Sequence, residues 1–553
     1  MPDRTLPDRP NLEQYKKQAK DLARDVAALV PAALERIHRH HPRLRALAQD
    51  QIHPIALADA QFVLAREHGY DSWPQFAKHL ETLHILRTLE DLDDPVNAFI
   101  EFACVDRHGW HSGGTLEHAA MILTRYPEVA TANIYSAAVL GDAAAVRAHL
   151  AGNRSLAAAQ GGPHQWDALT YLCFSRYLRL DTARSESFVH AGRALLEAGA
   201  SANTGWTEFM DDPPRPVAES AIYGAAGIAQ NPGLTRLLLE FGADPNDEET
   251  PYHVPETYDN AVLQLLLDSG RWNQASLATV AARKCDWHDE KGLELALQHG
   301  ADANYGTVWK YSPFLHSIRR DNGLVMIDML LDHGADPHVR NGVDGRNAFQ
   351  MAAYYGRGDI FASLEQRGFE PGLEEGLDAL VAACARADLA TAQAITADHP
   401  DLLASIRAIG GTLLARFAGA DNAAGVRCLL ALGIPPDALW LEGDGYWELT
   451  RSSTALHVAA WRAHHEVVRT LIDAGTPVNA RDARNRTALQ LAVRACTDSY
   501  WKRRRQPDSV AALLAGGAHT DGIQLPTGYD AIDELLQLHP APDRQKTGPA
   551  ASD

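Results

Sequence analysis

A short phrase that recurs at regular intervals is the feature that most constrains the fold of this chain. It consists of leucines, two variable residues, a glycine, a small residue and often Asp and Asn, as in residues 237–246 and 330–336. Its glycine stands at Gly199, Gly242, Gly270, Gly300, Gly334, Gly368, Gly433, Gly475 and Gly517. The steps from Gly270 to Gly368 are 30, 34 and 34 residues, and each of the two steps after Gly433 is 42 residues. This period predicts a stack of similar units, some of which carry insertions.

The residues of the phrase explain why it repeats. A helix often ends at a residue in the left-handed conformation, which glycine adopts without a Cβ penalty. The other half of the unit is a helix start, and its best copy begins at Thr454 with the sequence Thr-Ala-Leu-His-Val-Ala-Ala. Thr487, Ser312 before Pro313, and the segment around Asn347 are further starts, because Thr, Ser and Asn are good N-caps and Pro suits the first helical turn. Each unit is therefore predicted to be a helix pair.

The two halves together resemble the ankyrin repeat, which starts T-P-L-H-x-A-A and ends L-L-x-x-G-A-D-x-N. The resemblance covers roughly residues 130–520 and is weakest near residues 376–400. It implies an all-α solenoid of helix–loop–helix units, whose finger loops line a concave surface. We assign residues 91–522 to this solenoid.

The segments on either side of the repeats differ from them. Residues 1–90 contain amphipathic helical patterns from Asn11, over about residues 32–47, over residues 56–69 and from Asp71, and resemble the helical leader of some bacterial ankyrin proteins. This segment contains thirteen Lys and Arg and twelve Asp and Glu. It therefore lacks the excess of positive charge that is typical of a DNA-binding domain. We therefore predict a helical N-terminal cap, with a nucleic-acid-associated regulator that uses the helix-turn-helix outline as the alternative. Residues 523–540 are predicted to be a capping helix and residues 541–553 a disordered tail.

Composition narrows the partner and the compartment. The formal charge of −20 and the pI near 5.6 argue against broad binding to nucleic acid or anionic lipid. No stretch approaches 18 apolar residues, and the N-terminus has no apolar signal region. The six cysteines are far apart and lack a CxxC pair. They are predicted to be buried thiols in a reducing compartment, so we expect a cytoplasmic protein.

Aromatic residues in the loops that follow the repeat ends are the candidate partner-binding residues. They are His164, Trp166, Trp206, Tyr252, Tyr258, Tyr305, Trp309, Tyr311, Trp440, Tyr446 and Trp447, with Phe209 and His253 close by. If the units stack, these loops face one groove, and aromatic rings dominate binding hot spots. The alternative is that each ring packs on its own neighbouring loop. The acidic residues among them favour a partner with basic character: Asp211, Asp212, Asp247, Glu248, Glu249, Glu442, Asp444 and Glu448.

Motifs of catalysis and metal binding are missing from the sequence. It contains no GxxxxGK[ST], HExxH or GxSxG pattern, so we predict no catalytic residues, no cofactor and no enzyme. Metal-capable side chains are dense at Cys104, Asp106, His108, His111 and His118, but their spacing matches no known zinc pattern, and no metal is predicted. A small-molecule or metal-binding sensor, at this segment or at Cys285 and His288, remains an alternative. The run 501–505 (Trp-Lys-Arg-Arg-Arg) is predicted to be an exposed loop rather than a phosphate site.

The sequence as a whole predicts a non-covalent protein-binding scaffold. A solenoid offers an extended rigid groove and little enclosed, water-excluded space for chemistry. Its partner is predicted to be another protein.

Overall fold

The computed structural model describes residues 4, 6–7, 10–42, 44, 55–90, 92–109, 111–211, 214–373, 375–499 and 502–539. The chain forms two compact units, Met1–Thr250 and Pro251–Asp553. The described residues are mostly helical, with two short antiparallel hairpins. The all-α prediction is confirmed apart from these hairpins. The predicted disordered tail, Arg43, residues 45–47, Asp212 and Trp501 lie outside the described residues.

The first unit begins with four helices of the predicted cap and continues as short helix pairs. Its helices are α1 (Leu12–Ala27), α2 (Pro31–His40), α3 (Leu57–Glu67), α4 (Trp73–Glu90), α5 (Pro95–Ala103), α6 (Glu117–Arg125), α7 (Ile134–Val139), α8 (Ala143–Gly152), α9 (Ala168–Cys173), α10 (Arg176–Leu180), α11 (Ser185–Ala198) and α12 (Pro232–Glu240). A short helix, α13 (Glu249–His253), contains the boundary between the units.

Helices α1 to α4 pack around apolar residues of their own. Leu22, Val26, Ile37 and Val63 belong to one buried cluster, and Phe76 belongs to a second. The amphipathic helix that the sequence predicts from Asn11 is α1, and the Asn11 side chain caps it by accepting a hydrogen bond from the backbone N–H of Glu13 at 2.8 Å. The helix predicted over residues 56–69 is α3, and Gly69 follows it in the left-handed conformation.

A β-hairpin interrupts the helices of the first unit where the sequence predicted only a loop. Strand β1 (Gly205–Asp211) pairs antiparallel with β2 (Pro214–Ser220), and Trp206 lies opposite Glu219. A Cβ atom at Gly205 would lie 2.2 Å from the backbone oxygen of Glu219, so only glycine allows this approach. A π-helical turn, Tyr223–Ile228, follows the hairpin.

The second unit is a series of helix pairs joined by loops. Its elements are α14 (Ala261–Asp268), α15 (Gln274–Asp286), α16 (Glu290–Gln298), α17 (Pro313–Arg319), α18 (Leu324–Asp332), α19 (Ala348–Tyr354), α20 (Gly358–Gln366), α21 (Gly376–Ala385), α22 (Leu389–Asp398), α23 (Pro400–Ala408), α24 (Gly410–Gly419), α25 (Ala423–Ala431), β3 (Leu439–Trp440), β4 (Ser453–Thr454), α26 (Ala455–Trp461), α27 (His465–Asp473), α28 (Ala488–Thr497), α29 (Asp508–Ala515) and α30 (Asp530–Leu538). Helix α30 lies where the sequence predicts a capping helix.

The predicted helix ends are confirmed in both compact units, and the predicted starts, all in the second unit, coincide with helix N-caps, although the Thr454 side chain makes no capping hydrogen bond. Every glycine of the recurring phrase has a positive φ, between 64° at Gly270 and 113° at Gly199. Thr487 caps α28 and Ser312 caps α17, each by accepting a backbone N–H with its side-chain hydroxyl. Asn347 caps α19 in the same way with its amide oxygen. The local chemistry of the phrase therefore sets the length of the helices.

An asparagine at the end of the recurring phrase connects one short repeat to the next repeat along the chain. The amide of Asn304 donates to the carbonyl of Gly334 at 2.8 Å and accepts the backbone N–H of Asp336 at 2.8 Å. Asn203 makes the same pair of bonds to Gly242 and Asp244, and Asn479 to Gly517 and His519. We call this two-bond contact the asparagine bridge. It satisfies polar groups at the helix end that would otherwise need water.

The cysteines are buried, as the sequence predicts. Cys104, Cys173, Cys285, Cys384, Cys428 and Cys496 are all buried free thiols. Burial raises the pKa of the Cys496 thiol to about 11. No single helix within the described ranges is long and apolar enough to cross a membrane. The two helices of the bent pair Asp401–Ala408 and Gly410–Gly419 have, when combined, the length and apolar composition of a span.

Candidate functional site

The predicted aromatic residues of the first unit form a packed cluster rather than an open face. The rings of Trp166 and Trp206 stack with centroids 5.2 Å apart, and Phe174 lies within 6 Å of both. His164 lies 4.6 Å from Trp166. Both tryptophans are buried. In this unit the rings pack on their own neighbours, as the alternative hypothesis stated.

His164 is held neutral by this cluster. Its backbone N–H donates to the Tyr171 hydroxyl at 2.9 Å, and burial, with a contribution from the charge of Arg107, lowers the pKa of His164 to about 4. A neutral, half-buried imidazole is suited to packing rather than to recognition of charge.

Four of the eight predicted aromatic residues of the second unit face arginines. The guanidinium of Arg283 lies 4.0 Å from the ring centre of Tyr252, and that of Arg319 lies 5.0 Å from Tyr311. Trp309 is half-buried and its ring lies 5.9 Å from Tyr252. Tyr258 and Tyr305 are exposed. Arginine over a ring is an attractive contact and a frequent element of binding surfaces.

Tyr446 and Trp447 fix the long loop between β3 and β4. The Tyr446 hydroxyl donates to the backbone oxygen of Asp286 at 2.5 Å, and Arg320 lies 3.6 Å from its ring centre. Trp447 is buried beside the guanidinium of Arg462, 4.4 Å from its ring centre. Because the two adjacent rings point to different partners, the loop is attached to the helices at two places.

The group beneath Tyr446 is a buried carboxylate, Asp286. It accepts hydrogen bonds from His316 Nε2 at 2.8 Å, from Arg320 Nε at 2.6 Å and from Arg283. Burial alone would raise the pKa of Asp286, but these three donors hold it well below its usual range. The carboxylate is therefore ionised, and its charge fixes the arginines that contact Tyr252 and Tyr446.

Three of the predicted residues, Tyr311, Trp440 and Trp447, line one cavity of about 420 Å³ in the second unit. The cavity also has charged walls, formed by Arg319, Arg346, Arg357, Arg416, Arg462, Asp321, Asp344, Glu442 and Asp444. Arginine, tryptophan and tyrosine are the residue types that contribute most to protein–protein binding. The cavity therefore has the composition of a recognition site.

The arginines of the cavity differ in how fully they are paired. Arg357 and Arg462 both bind Asp321, and Arg346 binds Asp344. Among the described residues, no carboxylate lies within ion-pair distance of Arg319, whose contact is the Tyr311 ring. Arg319 is thus the guanidinium of the cavity most available to an outside acceptor.

Apolar side chains stand exposed at the tips of three loops of this unit. Val308, Val343 and Leu441 are 82%, 58% and 69% exposed, and Val343 also lines the cavity. We call these three residues and the cavity the fingertip face. Val343 thus adds an exposed apolar group to the polar wall of the cavity.

The acidic residues of the loops are largely used within the protein. Glu248 pairs with Arg215, and Glu448 with Arg494 at 2.7 Å. Asp247 bonds Ser220 and Thr250, and its burial raises its pKa to about 6. The prediction of a partner with basic character was based on these acidic side chains. Because internal bonds already use their charges, it stays a prediction.

Two other sequence-based expectations can be compared with the structure. Lys502, Arg503 and Arg504 form an exposed turn, as expected of a solvated loop. Cys104 is buried and Asp106 binds Arg176 at 2.9 Å, so neither is placed for a shared metal with the histidines that follow.

Sequence reasoning missed the arginines of the fingertip face. Arg319 is the last residue of α17, Arg416 lies three residues before the end of α24, and Arg462 follows the end of α26. The three arginines therefore stand at different positions of their repeats, and no fixed spacing in the sequence marks them.

A helical repeat protein is defined by the features described above. They are helix pairs with capped starts, helix ends at left-handed glycines, and hydrogen bonds between successive repeats. A family model described as "Ankyrin repeats (many copies)" matches residues 429–492, and no curated protein matches the chain. The match to the family model assigns residues 429–492 to ankyrin repeats. Ankyrin repeats are in general protein–protein interaction modules.

Two solved ankyrin structures are similar to part of the chain. The human ASB11 ankyrin repeat domain is 20% identical, with 43% of this chain and 96% of that domain covered and a TM-score of 0.19. The ankyrin repeat domain of Bcl-3, a member of the IkappaB family, is 18% identical, with 42% and 97% covered and a TM-score of 0.20. The assignment of residues 429–492 to ankyrin repeats depends on the family model and on the helix pairs described above.

Proposed function

We propose that this chain is a non-covalent scaffold that binds another protein through the fingertip face of its second unit. The observation that carries the proposal is a cavity lined by arginine and aromatic side chains together with the exposed Val343. The attachment of the β3–β4 loop at Tyr446 and Trp447 supports it, because a pre-organised surface loses less conformational entropy on binding.

The size of the cavity favours a peptide segment of the partner. A volume near 420 Å³ accepts a few side chains, and a folded domain would contact only the loop tips around it. The half-buried guanidinium of Arg319 favours a carboxylate as the polar group of that segment. The occupant that we propose is a loop or extended segment with apolar side chains beside an Asp or Glu.

A photo-crosslinking experiment tests the place of binding. A photoreactive amino acid replaces Val343 in one protein and Val325 in the other; both valines are 58% exposed, but Val325 stands near the start of helix α18. We expect crosslinks from position 343 to one defined apolar and acidic segment of a partner protein, and none to that segment from position 325. Equal crosslinking from both positions, or none from position 343, would overturn the proposal.

A charge reversal tests the chemistry of the partner. Arg319→Glu should weaken binding of the crosslinked segment, as a synthetic peptide, by about tenfold, since a charge-assisted hydrogen bond is replaced by repulsion. Arg427→Glu, an exposed arginine on helix α25, is the control and should leave affinity unchanged. Tighter binding by Arg319→Glu would indicate a basic partner instead.

The compartment and chemistry of the chain follow the same proposal. Six buried free thiols suit a reducing compartment, which supports the proposal that the protein is cytoplasmic. Its role is binding rather than catalysis, in agreement with the typically non-enzymatic character of ankyrin-repeat proteins.

A further inference from the structure

A cluster of metal-capable side chains lies in the first unit, outside the fingertip face. Residues 104–116, which connect α5 and α6, place His111 against the β-hairpin. Trp206 on β1 lies opposite Glu219 on β2, and Glu208 is two residues beyond Trp206. Because side chains alternate along a strand, Glu208 and Glu219 share the face of the hairpin that meets His111.

The three side chains converge to a small volume. One ligand atom from each of His111, Glu208 and Glu219 lies within 4.8 Å of the other two. His111 Nε2 lies 3.3 Å from Glu208 Oε2, and His111 Nδ1 lies 3.8 Å from Glu219 Oε2. His111 and Glu219 are buried, and Glu208 is mostly buried.

These distances suit ligands of one ion better than a direct ion pair. A charge-assisted N–H···O hydrogen bond is about 2.7–2.9 Å long. Two ligands of a tetrahedral zinc ion, each about 2.0–2.1 Å from the metal, lie about 3.3 Å from one another. The separation of His111 Nε2 and Glu208 Oε2 has this value, and Glu219 Oε2 lies 3.8 Å from the other ring nitrogen, Nδ1.

Tyr223 gives the imidazole a defined orientation. Its hydroxyl lies 3.0 Å from His111 Nδ1, so a hydrogen bond on that nitrogen leaves Nε2 as the ligand atom. The exposed His108 lies nearby, with Nδ1 3.5 Å from Glu208 Oε1, and is in position to be a fourth ligand. One imidazole and two carboxylates select a transition metal over Mg²⁺ or Ca²⁺, which prefer all-oxygen sites.

We propose that His111, Glu208 and Glu219 bind one divalent transition-metal ion of the zinc type. The ion joins the α5–α6 connection to the hairpin and neutralises two carboxylates in a buried place. This site is independent of the fingertip face and of the partner proposed for it.

Zinc binding to the full chain, purified without a histidine tag and stripped with a chelator, tests the proposal. We expect one tight equivalent of Zn²⁺ in a competition titration against a chromophoric chelator, and a tetrahedral visible spectrum when Co²⁺ replaces it. Glu208→Gln and Glu219→Gln should each weaken binding by at least about 100-fold, and Tyr223→Phe by about tenfold, because it only orients the ligand.

The matched control is His190→Gln. His190 also lies near a carboxylate, with Nε2 3.6 Å from Glu186 Oε1, but both side chains are exposed, and no third ligand from the described part of the chain joins them. Its substitution should leave zinc affinity unchanged. All variants are compared by circular dichroism, and only those with the wild-type spectrum are counted.

Three results would overturn the proposal. The first is the absence of a stoichiometric tight equivalent in the wild-type protein. The second is equal affinity in wild type and Glu208→Gln, which would mean that surface histidines hold the metal. The third is unchanged hydrogen exchange of the hairpin when Zn²⁺ is added. That result would mean that an ion pair between protonated His111 and the glutamates stabilises the hairpin without a metal.

Discussion

The aromatic residues inserted into the two units differ in what they contact. In the first unit Trp166 and Trp206 stack on one another and on Phe174. In the second unit Tyr446 and Trp447 lie over Arg320 and Arg462. Ring-on-ring packing gives a closed apolar cluster, whereas ring-on-arginine packing brings charged groups beside the rings, with Arg462 buried and Arg320 partly buried. The same type of insertion thus stabilises the fold in one unit and forms a candidate recognition surface in the other.

The largest expected effect concerns the stacked cluster. Trp206→Ala should destabilise the first unit by about 3–5 kcal/mol, because it leaves a cavity against Trp166 and Phe174. Hydrogen exchange measured by mass spectrometry reports the two units separately. Phe209→Ala on the same hairpin, 61% exposed, is the control and should change little. Equal effects of the two substitutions would remove the contrast between core and surface rings.

The buried carboxylate of the second unit gives the next effect. Asp286→Ala should cost about 3 kcal/mol or more, since it leaves Arg283, His316 and Arg320 without their common acceptor. Asp268→Ala, which removes an exposed carboxylate 3.1 Å from His299, should cost less than about 1 kcal/mol. Hydrogen exchange of the segment around Tyr446 checks the result. A small effect at Asp286 would mean that the loop does not depend on this charge.

Acid should weaken the second unit through His288. Asn322 donates to its Nδ1 at 2.9 Å, and burial lowers the pKa of His288 to about 4 from an unfolded value near 6.5. Since the unfolded chain binds the proton more readily, stability is full above pH 6.5 and is lost as pH falls toward 4. Between pH 7.5 and 5 the loss is about 2 kcal/mol at most.

His288→Asn tests this source of acid sensitivity. Asparagine tolerates the left-handed backbone at this position, where φ is 50°. Denaturation at pH 7.5 and pH 5 should show a smaller difference for the variant than for the wild-type protein. An identical difference would assign the acid sensitivity to other groups.

The smallest expected effect separates two tyrosines that both donate to a backbone carbonyl. Tyr446→Phe removes the bond to Asp286 and should cost about 1 kcal/mol, and Tyr258→Phe removes a bond to Trp287 from an exposed ring and should cost less. Thermal unfolding of the two variants compares them directly. A larger effect at Tyr258 would indicate that the β3–β4 loop is not held through Tyr446.

The sequence predicted the local structure of this chain better than its surfaces. Glycine at a helix end and Thr or Ser at a helix start act within a few residues, so Gly242 and Thr487 were identified correctly. The hairpin at 205–220 was missed, because its signal, alternating residues around a Pro pair, lay in a segment interpreted as a loop. The contact of His111 with Glu208 could not be predicted, because it joins residues 97 positions apart.

The asparagine bridge also bears on how such a chain can lengthen or shorten. Each of Asn203, Asn304 and Asn479 reaches forward to the helix end of the next repeat. The repeat that ends at Gly300 receives the same two bonds from Gln274 instead of an asparagine. A duplication or deletion of whole repeats therefore keeps a junction where an Asn or Gln of the preceding repeat stands within reach of the next helix end.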